Sequence, residues 1–280
     1  MRRRRWLLYG SAAALLLVAV LRLPTVLSRS QLLFPPGAEN GVGYVMYAHV
    51  PRACRTAACP ALYVLDGERW LPTFARIVDE RVRAGDMAPV VLVGIGYRDV
   101  FNTAARRTHD FTPAFGRQPG RTGGADAYLQ VLERELIPYA EARLPISHAS
   151  RGLAGHSYAG LFATYALQRR PDLFDRYLIM SPALWFDDGK IYRQPFAAAS
   201  ASAQVFIAAD TPRGVRSEMA EDALRLNDLL VQQAGLSVSH ALLVGSGHDS
   251  MVAPAARRAL PSLYPAPGRS APALGDQSPR

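Results

Sequence analysis

A chain of 280 residues, 49% hydrophobic and 20% charged, is long enough to bury one sizeable core, and its length fits one domain with short appendages. The formal charge of +9 suggests a nucleic-acid partner, but six of those charges, Arg2, Arg3, Arg4, Arg5, Arg22 and Arg29, flank one apolar segment and leave +3 for everything downstream. With no basic stripe interleaved with aromatics, nucleic acid is not an expected partner.

The uncharged segment Trp6 to Val20 follows four arginines, the order of a charged region and then an apolar one in an export signal. A bilayer span needs about 20 apolar residues, and Arg22 interrupts this run early unless it snorkels to the interface. No A-x-A cleavage site follows, so residues 1–23 are expected to remain as a membrane anchor. The arginines then stay cytoplasmic and the rest is translocated. That places the catalytic unit in the periplasm or another extracytoplasmic space, held at the inner membrane. Residues 24–39 are expected to be a linker, 40–264 the folded domain, and 265–280 a tail too poor in large apolar groups to fold alone.

Cys54 and Cys59 are the only cysteines. Translocation would permit a disulfide between them, although closeness in sequence does not guarantee the geometry. Two thiols without a neighbouring histidine cluster do not suggest a metal site.

Inside the domain, apolar runs alternate with helical patterns. Gly43 to Val50, Ala61 to Leu65, Val90 to Ile95, Gly152 to Gly155, Tyr177 to Met180, Val205 to Ala209 and Val238 to Val244 are predicted strands. Tyr128, Val131, Leu132, Leu136, Tyr139 and Ala140 recur at helical spacing, with Pro138 as a source of a kink. Such alternation predicts an α/β fold with a mostly parallel sheet covered on both faces.

The segment Gly155-His-Ser157-Tyr-Ala159 leads from one such strand into the helical pattern Leu161 to Gln168. A nucleophile elbow needs small residues two positions either side of a strained serine, and Gly155 and Ala159 supply them, although glycine is usual where Ala159 stands. Ser157 at a helix N-terminus is also well placed for stabilising an oxyanion. A serine hydroxyl needs a base to accept its proton. His248 lies in the glycine-rich loop Gly245-Ser-Gly-His-Asp249 after the last predicted strand, where chain order in α/β-hydrolases puts the histidine. The acid is less determined. Asp210 ends the strand Val205 to Ala209, and Glu218 follows eight residues later as the other candidate. The oxyanion hole is expected to combine the N–H of Tyr158 with that of Glu68, or of the adjacent Gly67, after the strand ending at Leu65.

The motifs Leu65-Asp66-Gly67, Arg107-Thr-His-Asp110-Phe-Thr-Pro113, Gly155-His-Ser-Tyr-Ala-Gly160-Leu-Phe162 and Ser181-Pro-Ala-Leu-Trp185 resemble the esterase-D-like α/β-hydrolases. Within that group the chain looks most like siderophore esterases that cut enterobactin-type trilactones. The resemblance implies a cofactor-free serine esterase acting on a small-molecule ester, a ferric siderophore among the candidates. It also implies an N-terminal anchor in periplasmic members and a Ser–His dyad without a well-placed acid. By the same resemblance, Arg107 is expected to contact an anionic, catecholate-rich substrate or else to pair with Asp110. Trp185 and Trp70 either line the cleft or pack. Related readings are a general carboxylesterase, an acyltransferase of the same fold, and an anchored binding protein that has lost rate.

Overall fold

Every predicted apolar run becomes a strand in the computed structural model, which describes residues 30–116, 119–197, 202–213 and 217–268. The strands are β1 (Ser30–Leu33), β2 (Tyr44–His49), β3 (Cys59–Leu65), β4 (Val91–Tyr97), β5 (Ile146–His156), β6 (Arg176–Met180), β7 (Ala203–Thr211) and β8 (Leu236–Val244). Among the described residues they form one sheet in the order β1-β2-β4-β3-β5-β6-β7-β8. From β4 through β8 all neighbours are parallel, while β1 and β2 close one edge antiparallel. Central strands such as β4 are buried along their whole length, which is why they are continuous apolar runs without alternation.

Helices α1 (Gly67–Arg83), α2 (Thr103–Asp110), α3 (Ala125–Val131), α4 (Ile137–Glu141), α5 (Tyr158–Arg169), α6 (Glu218–Leu230) and α7 (Val252–Leu263) complete the layers. One face of the sheet packs against α1 and α7 through Phe74, Ile77, Val78, Val252, Ala256 and Leu260. The other face packs against α3, α4, α5 and α6. The result is an α/β-hydrolase-like fold whose parallel strands end along one edge, where loops can carry chemistry without disturbing the core.

Three expectations change. The stretch 24–39 is not all linker, because Ser30–Leu33 pairs with β2. The helix predicted around Tyr128 to Ala140 is interrupted by a π-turn over Leu132–Leu136, just before Pro138. Proline has no N–H to donate, so the regular ladder cannot pass through it and the widened turn absorbs the break. The folded unit also extends past 264, since Pro265 bridges Met87.

Cys54 and Cys59 are joined in a disulfide with Cα atoms 5.5 Å apart. The expected anchor at 1–23 lies outside the described residues. Among those described, no helix is long and apolar enough to cross a membrane.

Candidate active site

Ser157 sits between the end of β5 and the start of α5 at φ 62°, ψ −120°, a conformation that costs a non-glycine residue free energy. The surroundings hold it there. Its N–H donates to Met180 O at 3.0 Å, and its carbonyl accepts from Leu161 N at 3.0 Å and Ala183 N at 3.1 Å. A side chain on Gly155 would collide with the Ala159 carbonyl, and one on Gly160 would lie 3.0 Å from both Met180 O and Pro182 Cα. Gly155 and Gly160 are therefore the positions that let helix and strand approach. The methyl group of Ala159 fits in full burial, which explains why alanine is tolerated there.

His248 approaches from the loop between β8 and α7. Its Nδ1 lies 3.3 Å from Asp210 Oδ1, at the end of β7. Asp210 is 5% exposed, and its Oδ1 also accepts from the Ser181 hydroxyl at 2.6 Å. The second hydrogen bond fixes the carboxylate's orientation. Glu218, the other candidate, instead opens α6, where Ser217 caps the helix and an acidic first turn complements the dipole. The structure thus brings Asp210 to His248 and leaves Glu218 aside, and the dyad implied by resemblance is not what the geometry presents. Among the described residues Ser157 Oγ and His248 Nε2 are not hydrogen-bonded. Contacts of this kind often tighten only with substrate present.

His156, immediately before Ser157, ties the elbow to the loop that carries His248. Its Nε2–H donates to the His248 carbonyl at 2.8 Å, and the two imidazoles lie 4.5 Å apart. Burial, and then the neighbouring His248, push the His156 imidazole down to about 4, against the hydrogen bond to His248 O. It is a neutral strut. Trp70 packs edge-on against it at 5.5 Å, Arg69 lies 4.5 Å over the Trp70 ring, and Arg69 pairs with Asp249 at 2.7 Å. Sequence reasoning did not find the role of Ser181 or the partner of His156. Their positions beside Trp185 and Ser157 in quoted motifs were the only signal.

On the far side of Ser157, Asp66 adopts a left-handed conformation (φ 53°, ψ 46°) as α1 begins. Arg69 N and Trp70 N both bond back to Asp66 O, at 3.0 and 3.1 Å. Gly67 and Glu68 N–H are thereby left without helical partners, as Tyr158 N–H is at the start of α5. Burial raises the Glu68 carboxyl above its ordinary value, opposed by a hydrogen bond from its own backbone N–H. An oxyanion bound there would replace that carboxylate.

Arg107 does not pair with Asp110. Its Nε and Nη2 hold both oxygens of Asp66, at 2.9 and 2.8 Å, so one fork of the guanidinium fixes the turn leading into α1. Asp110 is occupied by Tyr44, Tyr97 and His109, at 2.8, 3.2 and 2.8 Å. The Arg107 guanidinium also lies 5.8 Å from the centre of the ring of Tyr158, the residue after Ser157. Trp185 is 48% exposed and faces Tyr158 at 5.9 Å, whereas Trp70 is packed.

Known proteins share this arrangement of elements. A siderophore triacetylfusarinine C esterase of Aspergillus fumigatus is 37% identical over 132 residues, 46% of this chain and 45% of that protein. The chain thus spans less than half of that relative's length. Ferri-bacillibactin esterase BesA of Bacillus subtilis is 26% identical over 244 residues, 79% of this chain and 84% of that protein. The crystal structure of the BES protein from Bacillus cereus superposes with a TM-score of 0.76 at 25% identity, covering 87% of this chain and 97% of that one. The Esterase family model matches residues 44–220, well over half of the sequence, and the chain belongs to the Esterase family.

Proposed function

We propose that the chain is a serine hydrolase that cleaves the ester bonds of a siderophore, with Ser157 as nucleophile, His248 as general base and Asp210 as the acid that orients it. The observation that carries the reading is the strained elbow at Ser157, tied through the adjacent His156 to the loop in which His248 pairs with Asp210. In the reaction His248 takes the Ser157 proton as Oγ attacks the carbonyl, then returns it to the leaving alcohol. Water next enters by the same route and releases the acid. The carbonyl oxygen, gaining charge, is received by the N–H groups of Tyr158 and of Glu68 or Gly67. No cofactor takes part.

The substrate class rests on the relatives' names together with the mouth of the site. Exposed Trp185 offers a ring face to an aromatic ligand, and Arg107 retains donors beyond those used on Asp66. Anchoring through residues 1–23, with the catalytic domain outside the cytoplasm, fits the Cys54–Cys59 disulfide, since such bonds persist in oxidising compartments.

The test compares hydrolysis of p-nitrophenyl esters and a catecholate trilactone by the full chain in detergent, as wild type and as Ser157→Ala. Preferential cleavage of the trilactone, abolished in Ser157→Ala, supports the proposal. Cleavage of simple esters alone makes the enzyme a general esterase. Transfer of the acyl group to an alcohol makes it an acyltransferase, and an inert wild type leaves a binding protein.

A further inference from the structure

The end of the sheet opposite Ser157 is also concave. There a cleft of about 1180 Å³ is lined by His49, Arg52, Arg55, Asp79 and Arg83, among others. His49 ends β2 and pairs with Leu92 at the start of β4, so the cleft opens at the N-terminal ends of the parallel strands, away from the catalytic loops.

The charges in this cleft are unbalanced. Three exposed guanidinium groups face one carboxylate, Asp79, which already accepts from His49 Nε2–H at 3.0 Å. Among the described residues neither Arg52 nor Arg55 has an acidic partner, and Arg83 uses only its Nε, on the Asp79 carbonyl at 3.0 Å. His49 is 3% exposed and its Nδ1 has no hydrogen-bond partner among the described residues. Arg52 and Arg55 bracket buried Cys54 on one short 3-10 turn, and the Cys54–Cys59 disulfide clips that turn in place. Two guanidinium forks carried three residues apart on a clipped turn suit phosphate oxygens.

The chain path indicates where such phosphates lie. Ser30, where the described structure begins, pairs with His49 at the rim of this cleft. Nine residues separate it from the uncharged segment Trp6 to Val20. They reach at most about 30 Å when fully extended.

We propose that the cleft docks on the phosphate layer of a bilayer containing anionic phospholipid, so that the catalytic edge faces away from the membrane. Guanidinium groups near an anionic leaflet each contribute a factor of about five in association, so the pair on the clipped turn gives roughly thirtyfold.

The test follows amide hydrogen exchange of the full chain bound to phosphatidylcholine vesicles with and without phosphatidylglycerol. Residues 49–56 and 79–83 are expected to exchange several-fold more slowly only on the anionic vesicles. The protection disappears in Arg52→Glu/Arg55→Glu and weakens in Arg83→Glu, while both variants hydrolyse p-nitrophenyl esters at the wild-type rate. Equal exchange on the two vesicles overturns the proposal, as does protection at 245–251 instead. Inorganic phosphate alone reproducing the protection on phosphatidylcholine also overturns it, since the occupant is then a soluble anion.

Discussion

Asp210 Oδ1 accepts from the Ser181 hydroxyl at 2.6 Å and stands 3.3 Å from His248 Nδ1. A carboxylate so held favours the tautomer of His248 that keeps Nε2 free to accept a proton. It also stabilises the imidazolium formed when that proton arrives. Asp210→Asn is accordingly expected to lower kcat by roughly 10²- to 10⁴-fold with little change in KM. A rate within a few-fold of wild type would restore the dyad. The sequence singled out Ser157 and His248 through chain order and local context, and offered Asp210 beside Glu218 as the acid. It could not choose between Asp210 and Glu218, because that choice depends on which carboxylate the β7–α6 connection turns towards the loop after β8. Ser181 and His156 act on partners 29 and 92 residues away, contacts that no local pattern encodes.

The first turn of α1 is pressed onto β4. A Cβ on Gly67 would collide with the backbone of Gly94, and a Cβ on Gly94 would lie 2.9 Å from Gly67 Cα. Two glycines in register therefore set how closely the turn bearing the Gly67 and Glu68 N–H groups approaches the sheet. Gly94→Ala is expected to cost about 1–3 kcal/mol through overpacking, lowering Tm by roughly 3–10 °C. It should also reduce kcat as those N–H groups move, so calorimetry and turnover should change together. At this scale the sequence was readable where elements are long and uniformly buried, which is why every central strand was found. It was least readable at β1, four residues whose pairing comes from the neighbouring edge and not from their own pattern. The π-turn before Pro138 was legible only as a kink.

Across the whole molecule, stability is tied to acidity through one buried imidazole. Burial, helped by the neighbouring His248, lowers His156 from 6.5 to about 4, so between those values the unfolded chain binds a proton that the folded chain does not. Stability should fall as pH drops through that window, by at most about 1.4 kcal/mol per pH unit from this group, and level off below it. Other groups titrate there too. The informative quantity is the difference from His156→Gln, whose denaturation profile should lack this component while keeping a donor for the His248 carbonyl. The α/β class and the position of the site on the sheet were legible from element order, whereas the protonation state of His156 depends on packing that only the assembled fold supplies. The fold also concentrates its indoles. Of the three tryptophans, Trp6 lies outside the described residues, while Trp70 packs on His156 and Trp185 flanks Tyr158. Both of these indoles therefore border the proposed active site, which makes the protein's own ultraviolet emission a label-free optical gauge of when that site is filled and when it empties.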